Sequence, residues 1–365
     1  MEKSYEWMKY HDFSNFTEGE VATLKKAKLI QETSSKLIVM LDGLDEEQIR
    51  EVIKICKGKK GVVIKLLPAE VNKLLSMNIR LNPEEFNVAY SCNTVAQAPL
   101  EVIEQLGVRS VLVGALENNS VQEMSKEKYK QIYVILQDIV KEANRKKSEY
   151  ARFITVYKKL ARTLTYDGEQ IEREEKDTQE DDKTYNCRNL ENGLLQGKCV
   201  CVGYSEILKQ VLSLLNIDSK ICLSEVAENG ETHSYNQVKI DGIWYNTDLT
   251  WDSENMKKHK PMKYCLKSDK DFRSGVAKEE ECLHYSTNEN VEVCTASYET
   301  NKNRLINLIN KVWDMFRKPK KQLMESQTIT PNKFRQKYMQ KVDTSLINTT
   351  RNEVVKQKEN DEMEK

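Results

Sequence analysis

The chain of 365 residues has no net charge, with 57 Lys and Arg against 57 Asp and Glu. It is therefore not a polyelectrolyte built to hold nucleic acid or an anionic membrane as a whole. No apolar run approaches the roughly 18 residues that span a bilayer. Residues 1–16 carry neither an apolar stretch nor a small-residue cleavage site, so no signal peptide is expected. Proline and histidine are scarce, at 6 and 4 residues. No CxxC occurs, and Cys199-Val-Cys201 has no second pair at zinc-ligand spacing. Nine cysteines form an odd and scattered set, which reads as reduced thiols in a cytoplasmic protein. Neither GxGxxG nor GxxxxGK[ST] is present, so no phosphate-cradling loop supports a nucleotide role. The acidic run 168–183 lacks the spacing and turn glycine of a calcium loop and reads as an exposed insertion.

What is present falls into parts. Residues 37–41, 62–67, 86–90 and 110–113 are short apolar strands. Between them, 45–56, 69–76 and 99–106 have helical spacing, with Asp45 placed to cap the first. Alternation of this kind predicts a parallel sheet of βα units, although a short β/α solenoid shares the rhythm. Residues 123–164 read as two helices, the second capped by Ser148. Residues 297–316 form another amphipathic stretch, and 318–365 are charged with few large apolar residues. The expected division is an N-terminal α/β domain over 1–122, a second domain over 123–317 and a charged tail over 318–365.

Chemistry concentrates between residues 197 and 252. Gly197-Lys-Cys-Val-Cys-Val-Gly-Tyr-Ser205 leads into an apolar helix. A cysteine in its first turn faces free backbone amides and the positive end of the helix dipole, which favour thiolate. His233–Ile240 alternates as a strand, and Asp241-Gly242 is a hairpin signal ahead of Ile243–Thr247. Pairing about that turn brings His233 and Asp248 within reach on one face. Thiolate, imidazole and an orienting carboxylate are the elements of acyl transfer. Asp252 is the competing carboxylate; lying past the strand, it is expected to be structural. His284 is read as structural too.

The order C-x-G-Y, H-x-x-N-x-V and W-Y-x-x-D-x-T-W-D resembles the transglutaminase-like superfamily, in its bacterial branch. The likeness covers roughly residues 150–294 and includes Thr163–Asp167, Tyr264–Asp269 and His284. It implies an α+β fold with a papain-like core, in which a helix carrying the cysteine packs on an antiparallel sheet carrying His and Asp. It also implies Cys201 as nucleophile, His233 as base and Asp248 as orienting acid. Tyr166 is a candidate oxyanion donor beside the Cys201 amide. Cys199 departs from the family's single cysteine, and the C-x-G-Y register selects Cys201. The implied activity is acyl transfer or hydrolysis at an amide of a protein or peptide. No cofactor, metal, nucleic-acid or membrane partner is expected. The alternative is a non-catalytic interaction protein on the same fold.

Overall fold

The computed structural model describes residues 16–33, 36–114, 122–168, 190–225, 232–274 and 283–317. Most of the acidic run, the tail beyond Arg317, Cys187 and Cys282 lie outside these residues. Contacts divide the chain into two units, Met1–Asn301 and Lys302–Lys365. The architecture is mixed α and β.

After helix α1 (Glu18–Leu24), the first sheet has six strands in chain order: β1 (Lys28–Thr33), β2 (Lys36–Met40), β3 (Val62–Leu66), β4 (Asn87–Cys92), β5 (Ser110–Val113) and β6 (Gln122–Ser125). β2 to β5 are parallel, and β1 and β6 pair antiparallel at the two edges. The two antiparallel edge strands are absent from the sequence reading: β1 (KLIQET) mixes apolar and polar residues without a clean alternation, and β6 (QEMS) is short and polar. Crossover helices α2 (Glu46–Cys56), α3 (Pro68–Ser76) and α4 (Leu100–Gln105) join the parallel strands. Chain order without reversal, with right-handed crossovers, places all three on one face of the sheet. Asp45 caps α2 by accepting from the Gln48 amide at 2.8 Å, while Gln48 returns a bond to the Asp45 amide. Alternate residues Leu37, Val39, Val62, Ile64, Val88, Tyr90, Val111 and Val113 point into one core.

That core continues without a break into the rest of the first unit. α5 (Lys126–Val140) and α6 (Glu149–Thr163) contribute Ile132, Leu136, Phe153 and Leu160. Ser148 caps α6 through the Ala151 amide. A two-stranded parallel ladder, β7 (Thr165–Tyr166) on β8 (Lys198–Cys199), follows, with α7 (Leu190–Gln196) between them in the chain. Gly193 of α7 is required by a close approach: a Cβ there would lie 2.4 Å from Ile207 and 3.1 Å from the Cys199 sulfur.

α8 (Cys201–Leu214) is the central helix, and it packs against β9 (Ser219–Leu223) and β10 (Ser234–Ile240). The three-stranded antiparallel sheet runs β11-β10-β9, with β11 spanning Ile243–Thr247. Asp241 and Gly242 both have positive φ, 51° and 81°, the conformation a two-residue hairpin turn needs. Asn236 therefore faces Thr247 and Ile240 faces Ile243, the register read from the sequence. α9 (Leu249–Lys257) and α10 (Asp269–Arg273) follow. α11 (Tyr298–Arg317) runs on into the second unit, where Leu305, Ile306, Leu308 and Val312 are exposed. Among the described residues, no helix is long and apolar enough to cross a membrane.

Candidate active site

Cys201 is the first residue of α8, preceded by Val200 in extended conformation. The apolar helix behind it is buried along most of its length, which fixes where its first turn ends up. Gln210, further along the helix, accepts from the Val95 amide at 2.8 Å and so ties the helix to the loop after β4. Arg152 donates to the Leu215 carbonyl at the other end, where a cation complements the helix dipole. Asn236 donates to the Ser205 carbonyl at 3.0 Å, locking β10 onto the helix. The asparagine of the H-x-x-N motif thus fastens strand to helix.

His233 immediately precedes β10. Its amide donates to Ser224 Oγ at 2.7 Å, and its carbonyl accepts from the Ser224 amide at 2.8 Å. These two bonds hold the backbone while the ring turns toward α8. Asp248 immediately follows β11 and caps α9: one carboxylate oxygen accepts from the Trp251 amide at 3.1 Å. The other, Oδ2, lies 2.8 Å from His233 Nε2. The buried carboxylate thus caps the helix with one oxygen and meets the imidazole with the other. With Nε2 engaged by Asp248, Nδ1 is the ring nitrogen left for the Cys201 thiol, whose ionisation His233 favours.

Electrostatics separate Cys201 from the other thiols. Burial alone would raise it, but the His233 hydrogen bond and charge, with the Ser234 backbone amide, bring it below the ordinary thiol value. Burial meets no comparable opposition at Cys56, Cys92, Cys222 and Cys294, each pushed up to about 12. Burial would also lower His233, yet the adjacent Asp248 carboxylate lifts it well above the ordinary imidazole range. Asp248 is shifted the other way: burial opposes its charge, and His233 then His284 hold it ionised far below the usual carboxylate range. Both shifts favour the ionised forms of thiol and imidazole.

Asp252 is one turn further along α9 and faces away from the imidazole. It accepts from the Tyr157 hydroxyl at 2.9 Å and from the Lys263 and Tyr264 amides. Burial leaves it raised to about 6 despite those bonds. It sits inside the first turn of α9 and bonds outward, away from the imidazole. Tyr166 lines a cleft of about 410 Å³ together with His233, Trp251, Glu254 and Tyr264. Cys201 itself is 8% exposed.

The structure brings one more residue to the site, beyond the three that the motifs single out. His284, fully buried, places Nε2 3.2 Å from the same Asp248 Oδ2 that His233 uses. Its motif likeness to the family's trailing segment is the one available signal, since 36 residues separate it from Asp248. His233, Asp248 and His284 are also the group among the described residues whose potential ligand atoms lie mutually close, within 4.8 Å. Those atoms are already engaged with one another by hydrogen bonds, so no metal is assigned to them.

No family model matches the chain, and no curated protein matches it. Among solved structures it is similar to "Crystal structure of a TGase", at 18% identity and a TM-score of 0.32. That alignment covers 52% of this chain and 48% of the other, so the chain spans about half the length of that relative. It is also similar to "The Crystal Structure of a Putative Cysteine Protease from Cytophaga hutchinsonii", at 12% identity and a TM-score of 0.25. That alignment covers 33% of this chain and 38% of the other. Both likenesses are partial, and the functional reading rests on the geometry of the site.

Proposed function

We propose that the protein is a transglutaminase-like cysteine enzyme that transfers or hydrolyses an acyl group at an amide through a thioester on Cys201. The observation that carries this reading is the division of the His233 ring. Nε2 sits on a buried carboxylate at 2.8 Å, which leaves Nδ1 to Cys201. The surroundings of that thiol favour ionisation, where those of Cys56, Cys92, Cys222 and Cys294 oppose it. A buried cysteine that merely fills space has no use for such a partner.

The steps follow from the charges. The Cys201 thiolate adds to the amide carbonyl, and the developing oxyanion meets the amides of the first turn of α8, with the Tyr166 phenol as a further donor. The C–N bond then breaks as the His233 imidazolium gives its proton to the leaving nitrogen, producing thioester and free amine or ammonia. Neutral His233 next takes a proton from the acceptor, which attacks the thioester and restores the thiolate–imidazolium pair. An amine acceptor gives transglutamination; water gives hydrolysis. Asp248 stabilises the imidazolium and fixes the ring orientation throughout.

The test supplies glutamine-containing peptides with and without a primary amine and reads ammonia and cross-linked product separately. Cys201→Ala is expected to abolish both products while the fold remains intact. Cys199→Ala is expected to keep most activity, since its sulfur lies against Gly193 in the core. A dead Cys199 variant beside an active Cys201 variant would overturn the assignment. An intact, folded protein with no turnover and no reactive thiol would favour the scaffold reading.

A further inference from the structure

His284 makes two polar contacts through its ring. Nδ1 lies 3.0 Å from the Phe272 carbonyl oxygen, and Nε2 lies 3.2 Å from Asp248 Oδ2. Both partners are acceptors: a carbonyl has no proton to give, and Asp248 already takes the Trp251 amide on its other oxygen and lies 2.8 Å from His233 Nε2 on this one. A neutral imidazole carries one N–H and one lone pair. In either tautomer, one of these two contacts would set lone pair against lone pair in a fully buried site. A protonated ring, with an N–H on each nitrogen, removes the conflict, and both N···O separations lie within ordinary hydrogen-bond range.

The surroundings supply what a buried cation needs. The His284 ring stacks on Phe272 at 3.9 Å and lies 4.4 Å from Trp251, 5.4 Å from Tyr264 and 5.9 Å from Tyr235, centroid to centroid. Phe272 presents its face to the imidazole, the arrangement of a cation–π contact, whereas Tyr264 and Tyr235 meet it in T-shaped contacts. The titratable groups facing it are Asp248 ahead of α9, His233 and Tyr235 at the start of β10, and Tyr264 beyond α9. Arg273 of α10 donates to the His284 backbone carbonyl, at 3.4 Å, and not to the ring.

We infer that His284 is a positioning residue, held as an imidazolium, that shares Asp248 Oδ2 with His233 and holds the carboxylate in place. The site is then a chain of alternating charge: thiolate, imidazolium, carboxylate, imidazolium. The carboxylate cannot rotate away from His233 without also abandoning His284 and the Trp251 amide. Its pull on His233 is moderated as well, because one oxygen serves two cations, so the His233 proton remains transferable instead of being trapped. The catalytic consequence rests on the thiol-enzyme reading above; the protonation state does not.

Two measurements test it, both on the full chain. In the first, nitrogen NMR of histidine-labelled protein at about pH 7 reads the His284 ring directly. Two ring N–H protons, lost in His284→Gln, are expected. A single ring N–H, or a spectrum that acquires the bound form only on adding stoichiometric zinc, would overturn the inference, the latter because the cation would be a metal. In the second, iodoacetamide labelling of Cys201 is followed against pH in wild type and His284→Gln. Removing a cation from Asp248 is expected to move the His233 limb upward by about one pH unit. An unmoved limb would make His284 structural only. If Gln at 284 prevents folding, His284→Asn is the second variant, and the wild-type spectrum decides by itself. Absence of any selectively reactive Cys201 in wild type would defeat the enzyme reading while leaving the NMR result to stand or fall alone.

Discussion

The six-stranded and three-stranded sheets share one core yet fill it with different chemistry. Around the first sheet the buried side chains are nearly all apolar, and among the described residues only Glu70 and Ser91 interrupt them. Around the second, His233, Asn236, Gln237, Asn246, Asp248, Asp252 and His284 are all buried. Apolar burial needs only shape, whereas each buried polar group needs a partner at the correct distance. The first region is therefore a packing solution that many sequences could satisfy. The second is a wiring arrangement in which a single residue's loss leaves others unsatisfied, and that is where function is expected to reside.

The sharpest way to break this contrast is at Asp248. Asp248→Asn keeps a cap for α9 but offers an N–H or a weaker acceptor to His233 and removes the charge stabilising imidazolium. A loss of turnover on the order of 10²–10⁴ is expected in steady-state kinetics on glutamine peptides. Asp252→Asn, one turn away, should change the rate little. Equal losses at the two positions would erase the distinction between wired acid and structural acid.

A smaller effect separates the cysteines. At about pH 6.5, iodoacetamide followed by peptide mapping should label Cys201 well ahead of Cys56, Cys92 and Cys222, whose thiols burial keeps protonated. Uniform slow labelling would place Cys201 with the packing thiols of the first region.

The smallest effect is on stability and concerns Asp252. Its folded pKa is raised from 3.8 to about 6, so between those values the folded state holds a proton that the unfolded chain has released. Stability contributed by this group therefore falls as pH rises through that window, by about 3 kcal/mol. Asp252→Asn removes the slope, so melting curves should show the variant gaining on wild type from pH about 4 to about 6. A constant difference across that range would show that Asp252 does not titrate there.

Legibility in the sequence follows the same contrast. The four parallel strands can be read from runs such as Val62–Leu66, because contiguous apolar runs announce themselves without reference to anything distant. The β10–β11 register is legible because Asp241-Gly242 fixes it locally, and the nearness of His233 and Asp248 follows from it. Ser148 and Asp45 are legible as caps for the same reason. β1 and β6 are not, since Gln122–Ser125 has no apolar alternation and pairs only because β5 offers an edge. The placement of His284 is illegible for a different reason. Its approach to Asp248 depends on α10 and on Phe272 stacking against it, contacts made across the fold that leave no periodicity in the chain.

The bond from Gln210 to the loop after β4 has a consequence for dissection of the protein. Gln210 is fully buried, and its carboxamide oxygen is satisfied by the Val95 amide, 115 residues earlier in the chain. Tyr129 reinforces the same loop through the Val95 and Ala98 carbonyls. A fragment lacking the first sheet would strip both side chains of these partners and bare the flank of the helix that carries Cys201. The N-terminal strands thus serve as an internal template against which the cysteine helix is seated, and a chain trimmed to the motif-bearing half is expected to need that template supplied in trans.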